Sequence, residues 1–171
     1  PPQDDAPAGN RAPKDPATVP FGRLDVAPSD KTRRVGRLFA GVAGRYDLMN
    51  DLMSGGVHRL WKRTLVAELA AARPAAVLDL AGGTGDVAMR LLDRVTGPLD
   101  VTVCDLTPDM LREGRRRAWD QGRVARLHWA CGDAEALPFP DSAFDACAIA
   151  FGMRNVGRPE AALAEIARVL A

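Results

Sequence analysis

Apolar positions recur along this chain in two rhythms. Ala76-Val77-Leu78, Leu99 to Cys104, Leu127 to Ala130 and Phe144 to Ala150 are short, largely apolar runs. Such runs predict strands covered on both faces. Between them the apolar positions keep helical spacing: Val57, Leu60, Trp61, Leu65 and Leu69, ended by Arg73-Pro74; then Val87, Leu91 and Val95, with Met89 and Leu92 beside them. Thr107 caps a third helix with Pro108 at its first position, and Pro159 opens a fourth carrying Ala162, Leu163, Ile166, Val169 and Leu170. The order β-α-β-α-β-loop-β-α predicts an α/β fold. Its sheet is mostly parallel, with helices on both faces and ligands at the carboxyl ends of the strands.

Upstream the pattern changes. Residues 1–20 hold six prolines and almost no large apolar side chains, which predicts a disordered leader. Over residues 30–46, Val35, Leu38, Phe39, Val42 and Tyr46 share one face of a helix that Ser29 or Asp30 can cap. Arg34, Arg37 and Arg45 lie elsewhere on it, so it reads as a helix packed on the domain or as a basic lid near an anionic membrane surface. From Tyr46 to Trp61, polar groups alternate with methionines around a Gly55-Gly56 break. Met49 and Met53 read as packing residues. The expected organisation is a leader (1–20), a helical lid and substrate segment (21–74) and a core (75–171).

Composition narrows the function. At 171 residues and 47% hydrophobic, the chain is long enough for one packed core. A net charge of +1 favours no nucleic-acid partner. Cys104, Cys131 and Cys147 are odd in number and fit no metal spacing, so all three are expected to be reduced and buried in a cytoplasmic protein. The arginines at 112, 115, 116 and 117 are expected on a solvated face. No starting Met is present, which suggests a trimmed or partial chain.

The candidate chemistry gathers at Asp79-Leu80-Ala81-Gly82-Gly83-Thr84-Gly85-Asp86, a glycine turn between a strand and a helix. Such a turn lets a ligand reach the backbone. It carries no G-K-[ST] and lacks the G-x-G-x-x-G spacing, which disfavours nucleoside triphosphates and dinucleotides. Asp79 and Asp86 suit a ligand with an amino group, such as S-adenosylmethionine. Asp105 ends the second strand, 20 residues after Gly85, where such folds place the acid that meets a ribose. Asp133 follows the third strand and can meet an adenine amino group, with the Ala134 amide on a ring nitrogen. Phe151-Gly152-Met153-Arg154-Asn155 follows the fourth strand at the same edge.

Those residues resemble a known family. Tyr46-Asp47-Leu48-Met49-Asn50 with Ser54, His58 and Trp61 matches the amino-terminal signature of the ubiquinone/menaquinone biosynthesis C-methyltransferases, the UbiE/MenG family. The turn, the segment Gly132 to Asp141 and Phe151 to Val156 are similar to its other blocks, so the resemblance spans residues 21–170. It implies a Rossmann-like class I fold and S-adenosylmethionine as cofactor. The implied cofactor contacts are Thr84, Asp105, Asp133 and Ala134, and the turn's Gly82, Gly83 and Gly85 are expected to bring backbone to the same ligand. Where some members have a serine after the fourth strand this chain has Ala150, which leaves a backbone contact. Members continue beyond the final R-V-L with K-P-G-G and further strands, so the last strands of the sheet are expected to be missing here.

The implied reaction moves a methyl group to a ring carbon of a polyprenylated quinol precursor, either a benzoquinol or a naphthoquinol. Arg154 is expected to hold or polarise a quinol oxygen, with Asn50 and Asn155 on the substrate. The base stays open between Tyr46, His58 and water. An insoluble substrate implies peripheral contact with the inner membrane face, and a homo-oligomer or biosynthetic complex is a further expectation. Another acceptor, or a non-catalytic cofactor-binding module, are the competing readings.

Overall fold

The computed structural model describes residues 18–21, 24–27, 30 and 57–171. Beyond Asp30, the helix expected over 30–46 lies outside the described residues, as do residues 1–17. Val19–Phe21 (β1) and Leu24–Val26 (β2) form an antiparallel hairpin that the apolar pattern did not predict. The core then runs α1 (Val57–Ala72), β3 (Ala76–Leu80), α2 (Asp86–Arg94), β4 (Asp100–Asp105), α3 (Pro108–Asp120), β5 (Leu127–Cys131), β6 (Ala146–Ala148) and α4 (Pro159–Val169). A 3₁₀ turn, Met153–Asn155, lies between β6 and α4.

The second sheet has the order β5-β4-β3-β6, all parallel, with Leu78 opposite both Thr102 and Cys147. Its centre is β3, whose residues alternate between two apolar layers. Val77 joins Val66, Val87, Leu91, Val101, Val103 and Leu111 under α1, α2 and α3. Leu78 and Leu80 join Cys104, Leu137, Phe144 and Val169 under α4. Both faces are therefore covered, which is why the strands read as apolar runs.

The fourth run differs from expectation. Only Ala146–Ala148 pairs with β3. Asp145 donates its own amide to the Ala76 carbonyl at 2.9 Å and turns its carboxylate onto the amides of Ala75 and Ala76, 2.7 and 2.8 Å away. Phe144 bridges Leu170 in parallel, on the far side from β3. The cysteine expectation is also corrected. Cys104 is buried, but Cys147 is partly buried and Cys131 exposed. Cys131 is the last residue of an edge strand, where the covering helices stop. On α3, Arg116 and Arg117 both bond Glu113, and Arg112 pairs with Asp109, as a solvated face requires.

Helix α2 starts on Gly85 with φ 75°, a left-handed conformation that favours glycine and supplies no capping side chain. The cap comes from the strand before: Asp79 Oδ2 accepts from the Ala88 amide at 3.2 Å. Asp79 is only 1% exposed. Burial, opposed by that hydrogen bond and by Lys62 and reinforced by Asp105 and Asp86, pushes its pKa from 3.8 up to about 7. The folded protein then keeps a proton that the unfolded chain releases. The stability this adds is complete below the unfolded value and is lost as pH rises toward 7. Asp79→Asn cannot ionise. Between about pH 4.5 and about pH 7.5 it should therefore gain at least ~1 kcal/mol relative to the parent in urea unfolding. Parallel stability curves would show that Asp79 ionises no differently in the fold.

Candidate functional site

The carboxyl ends of β3, β4, β5 and β6 meet around one pocket. Gly82, Gly83 and Thr84 form one wall, Asp105 a second, and Asp133 with Ala134 a third. Right-handed crossovers put these loops on the same sheet edge, although up to 52 positions separate them, from Gly82 to Ala134. Gly85 lies behind the wall as the start of α2. Ala150 lines the pocket as well.

Asp105 binds the turn directly. Its Oδ2 accepts from the Gly83 amide at 2.9 Å and its Oδ1 from the Thr107 amide at 2.8 Å. Thr107 occupies the cap position of α3 but makes no side-chain cap bond. Asp105 thus ties the glycine turn to the start of α3. Burial raises its pKa, against the two amides that favour its charge. Each carboxylate oxygen can take a second donor, so these bonds leave capacity for a ligand hydroxyl. Asp133 Oδ1 accepts from the Glu135 amide at 3.0 Å, which folds the loop back on itself. Glu135 in turn holds the Arg158 amide at 2.8 Å and its Nε at 2.7 Å, anchoring this loop to α4.

The loop after β6 closes the pocket. Gly152 packs so tightly on the turn that a Cβ there would fall 2.4 Å from that of Ala81. Ala81 and Phe151 both have positive φ, 52° and 64°. Left-handed backbone at two residues without glycine's freedom costs about 1–3 kcal/mol each, and here both line the same pocket. Asn155 faces the pocket, while Arg154 beside it is exposed and is not in the wall. Phe151 pairs with Trp61 of α1, ring centroids 5.7 Å apart and both rings exposed. Tyr46 and Asn50 lie outside the described residues. His58 stands in the first turn of α1, and its side chain is not among those described.

Lys62, Leu106 and Met110 are among the wall residues that went unassigned in the sequence. Lys62 is 8% exposed and bonds Asp86 at 2.9 Å. Burial works to raise the Asp86 pKa, but Lys62 and Arg90 outweigh it and hold the carboxyl below its usual value. A buried lysine beside the turn could have been found only by placing α1 against α2.

S-adenosylmethionine fits this donor set. Among the described residues, Asp79 Oδ1 is a buried oxygen without a hydrogen-bond partner, and Asp79 is in the pocket wall. Such an oxygen is costly unless a donor reaches it. The cofactor's ammonium is such a donor, its ribose hydroxyls suit Asp105, and its adenine suits Asp133 and the Ala134 amide. Among the described residues no helix is long and apolar enough to cross a membrane.

Known proteins resemble this chain over much of its length. The ubiquinone/menaquinone biosynthesis C-methyltransferase UbiE of Paracoccus denitrificans is 53% identical over 158 residues, covering 92% of this chain and 63% of its own. That of Methylobacterium nodulans is 50% identical over 91% of this chain and 62% of its own. The chain therefore spans about three-fifths of the length of these relatives. Among solved structures, the [4+2]-cyclase SpnF superposes over 81% of this chain and 56% of its own, with TM-score 0.63 and 24% identity. A SAM dependent methyltransferase from Aquifex aeolicus covers 56% of this chain and 50% of its own, with TM-score 0.52 and 23% identity. These two establish a Rossmann-like methyltransferase fold, and a cyclase among them shows that the fold alone does not decide the chemistry. The profile of the ubiE/COQ5 methyltransferase family matches residues 27–171, and the chain belongs to that family.

Proposed function

We propose that this chain carries the cofactor half of an S-adenosylmethionine-dependent C-methyltransferase acting on a polyprenylated quinol precursor. The observation that carries the reading is one pocket at the carboxyl ends of the strands. It joins the glycine turn, Asp105 and Asp133–Ala134 around an unanswered carboxylate oxygen. Family membership supports the quinol as acceptor, since the relatives are named for ubiquinone and menaquinone biosynthesis.

When bound, S-adenosylmethionine supplies an electrophilic methyl group. The work of the chain is to orient and to exclude water. Asp105 holds the ribose, Asp133 and Ala134 hold the adenine, and the turn brings backbone close enough to fix the remainder. Orienting a quinol against the bound cofactor would be worth about 7–11 kcal/mol of barrier. Asn155, in the wall, and Arg154, beside it, act on the quinol oxygen. A guanidinium offers donors and no acceptor, so Arg154 stabilises developing negative charge and does not take the proton. Tyr46, His58 or a water takes it, contributing about 10²–10⁴-fold. Trp61 and Phe151 give the apolar acceptor a surface beside the pocket. The polyprenyl tail brings the enzyme to the membrane face from the cytoplasmic side.

Calorimetry with S-adenosylmethionine tests the cofactor half, and methyl transfer to reduced demethylated quinols by a chain of the relatives' length tests the rest. Asp105→Ala should weaken cofactor binding at least about tenfold, the scale of a lost hydrogen bond to a charged group. Unchanged affinity would reject the ribose role. In the longer chain, Arg154→Ala should bind cofactor normally and lose about 10²-fold or more in turnover. Turnover at the parent rate would move the quinol-oxygen role to Asn155.

A further inference from the structure

Lys62 is the one basic residue among the described residues in the wall of the pocket. It comes from α1, outside the strand–turn–helix unit, and is almost fully buried. A buried ammonium needs its charge and its three N–H donors answered. Asp86 answers one donor, at 2.9 Å. That carboxylate is shared, because its other oxygen accepts from Arg90 Nε at 2.8 Å. Asp86 is thus divided between two cations, and two of the Lys62 donors are left for other partners. Asp79 also lines the pocket, near enough for the Lys62 charge to act on it, and its Oδ1 is buried and unanswered. The pocket therefore presents a cation and a carboxylate oxygen in one wall region, the charge pattern that an α-amino acid end would complement.

We propose that Lys62 binds the carboxylate of the cofactor's amino-acid end, so that Lys62 and Asp79 sort the two charges of that end and set which way the methyl group points. This rests on S-adenosylmethionine being the ligand of the pocket. The opposing account makes Lys62 a brace that joins α1 to α2 through Asp86 and touches no ligand.

Calorimetry on the full chain with three ligands separates these accounts. S-adenosylmethionine carries the whole amino-acid end, its decarboxylated analogue lacks only the carboxylate, and 5′-methylthioadenosine lacks the amino-acid end altogether. The parent protein should prefer S-adenosylmethionine over the decarboxylated analogue by about tenfold or more, the scale of one charge-assisted hydrogen bond. Lys62→Met should reduce that preference to about twofold or less while leaving 5′-methylthioadenosine affinity within about twofold of the parent. If Lys62→Met keeps the preference, or weakens all three ligands by one common factor, Lys62 is a brace and the proposal falls. Lys62→Gln removes the charge with less loss of side-chain volume and decides the matter should Lys62→Met not fold: it should reduce the preference as Lys62→Met does, and keeping the preference would overturn the proposal. If the parent binds none of the three ligands, including 5′-methylthioadenosine, the cofactor reading itself fails and the role of Lys62 with it.

Discussion

A carboxylate buried beneath a glycine turn is the constraint on which the rest depends. Helix α2 begins at a left-handed glycine and has no cap of its own. Asp79 fills that need from the preceding strand, with one oxygen on the Ala88 amide and the other without a partner. The arrangement couples fold to function. Burying Asp79 puts its ionisation near neutrality, and its open oxygen makes the pocket hungry for a donor. Lys62 enters the same balance from α1, and Asp105 pins the turn from β4. The strained backbone at Ala81 and Phe151 closes the circle, since only the packed Gly152 lets the two loops approach.

This organisation explains how a short sheet can build a site with so few groups. The four parallel strands deliver their loops to one edge, and the loops then brace one another. Asp105 joins turn to α3, Asp133 folds its own loop, and Glu135 fastens that loop to Arg158. Each bond uses a polar atom that also faces the pocket or stands next to it. Positioning and binding are thus carried by the same side chains.

The strands and helices of the core were legible because their apolar spacing records burial directly. Three of the four apolar runs form strands of five or six residues, near their expected positions. The fourth shortened to Ala146–Ala148 because Asp145 satisfies the Ala75 and Ala76 amides with its side chain. Asp105 and Asp133 were legible too, since a polar residue ending an apolar strand has few other places to stand. The side that each of Arg154 and Asn155 presents was not. Both sit in a 3₁₀ turn, where neighbours point about 120° apart, so one faces the pocket and the other solvent.

What the sequence determined by itself was therefore local or periodic: the α/β order, the glycine turn, the strand-end acids and the family signature. Those depend on spacing along the chain. Tertiary structure alone decided the company each group keeps. It placed Lys62 against Asp86, 24 positions away, and left Asp79 with one oxygen unanswered. It also exposed Cys131 while burying Cys104 one strand over. Charge, desolvation and hydrogen bonding depend on distances through space, and a buried carboxylate acquires its character only when the helices close over it.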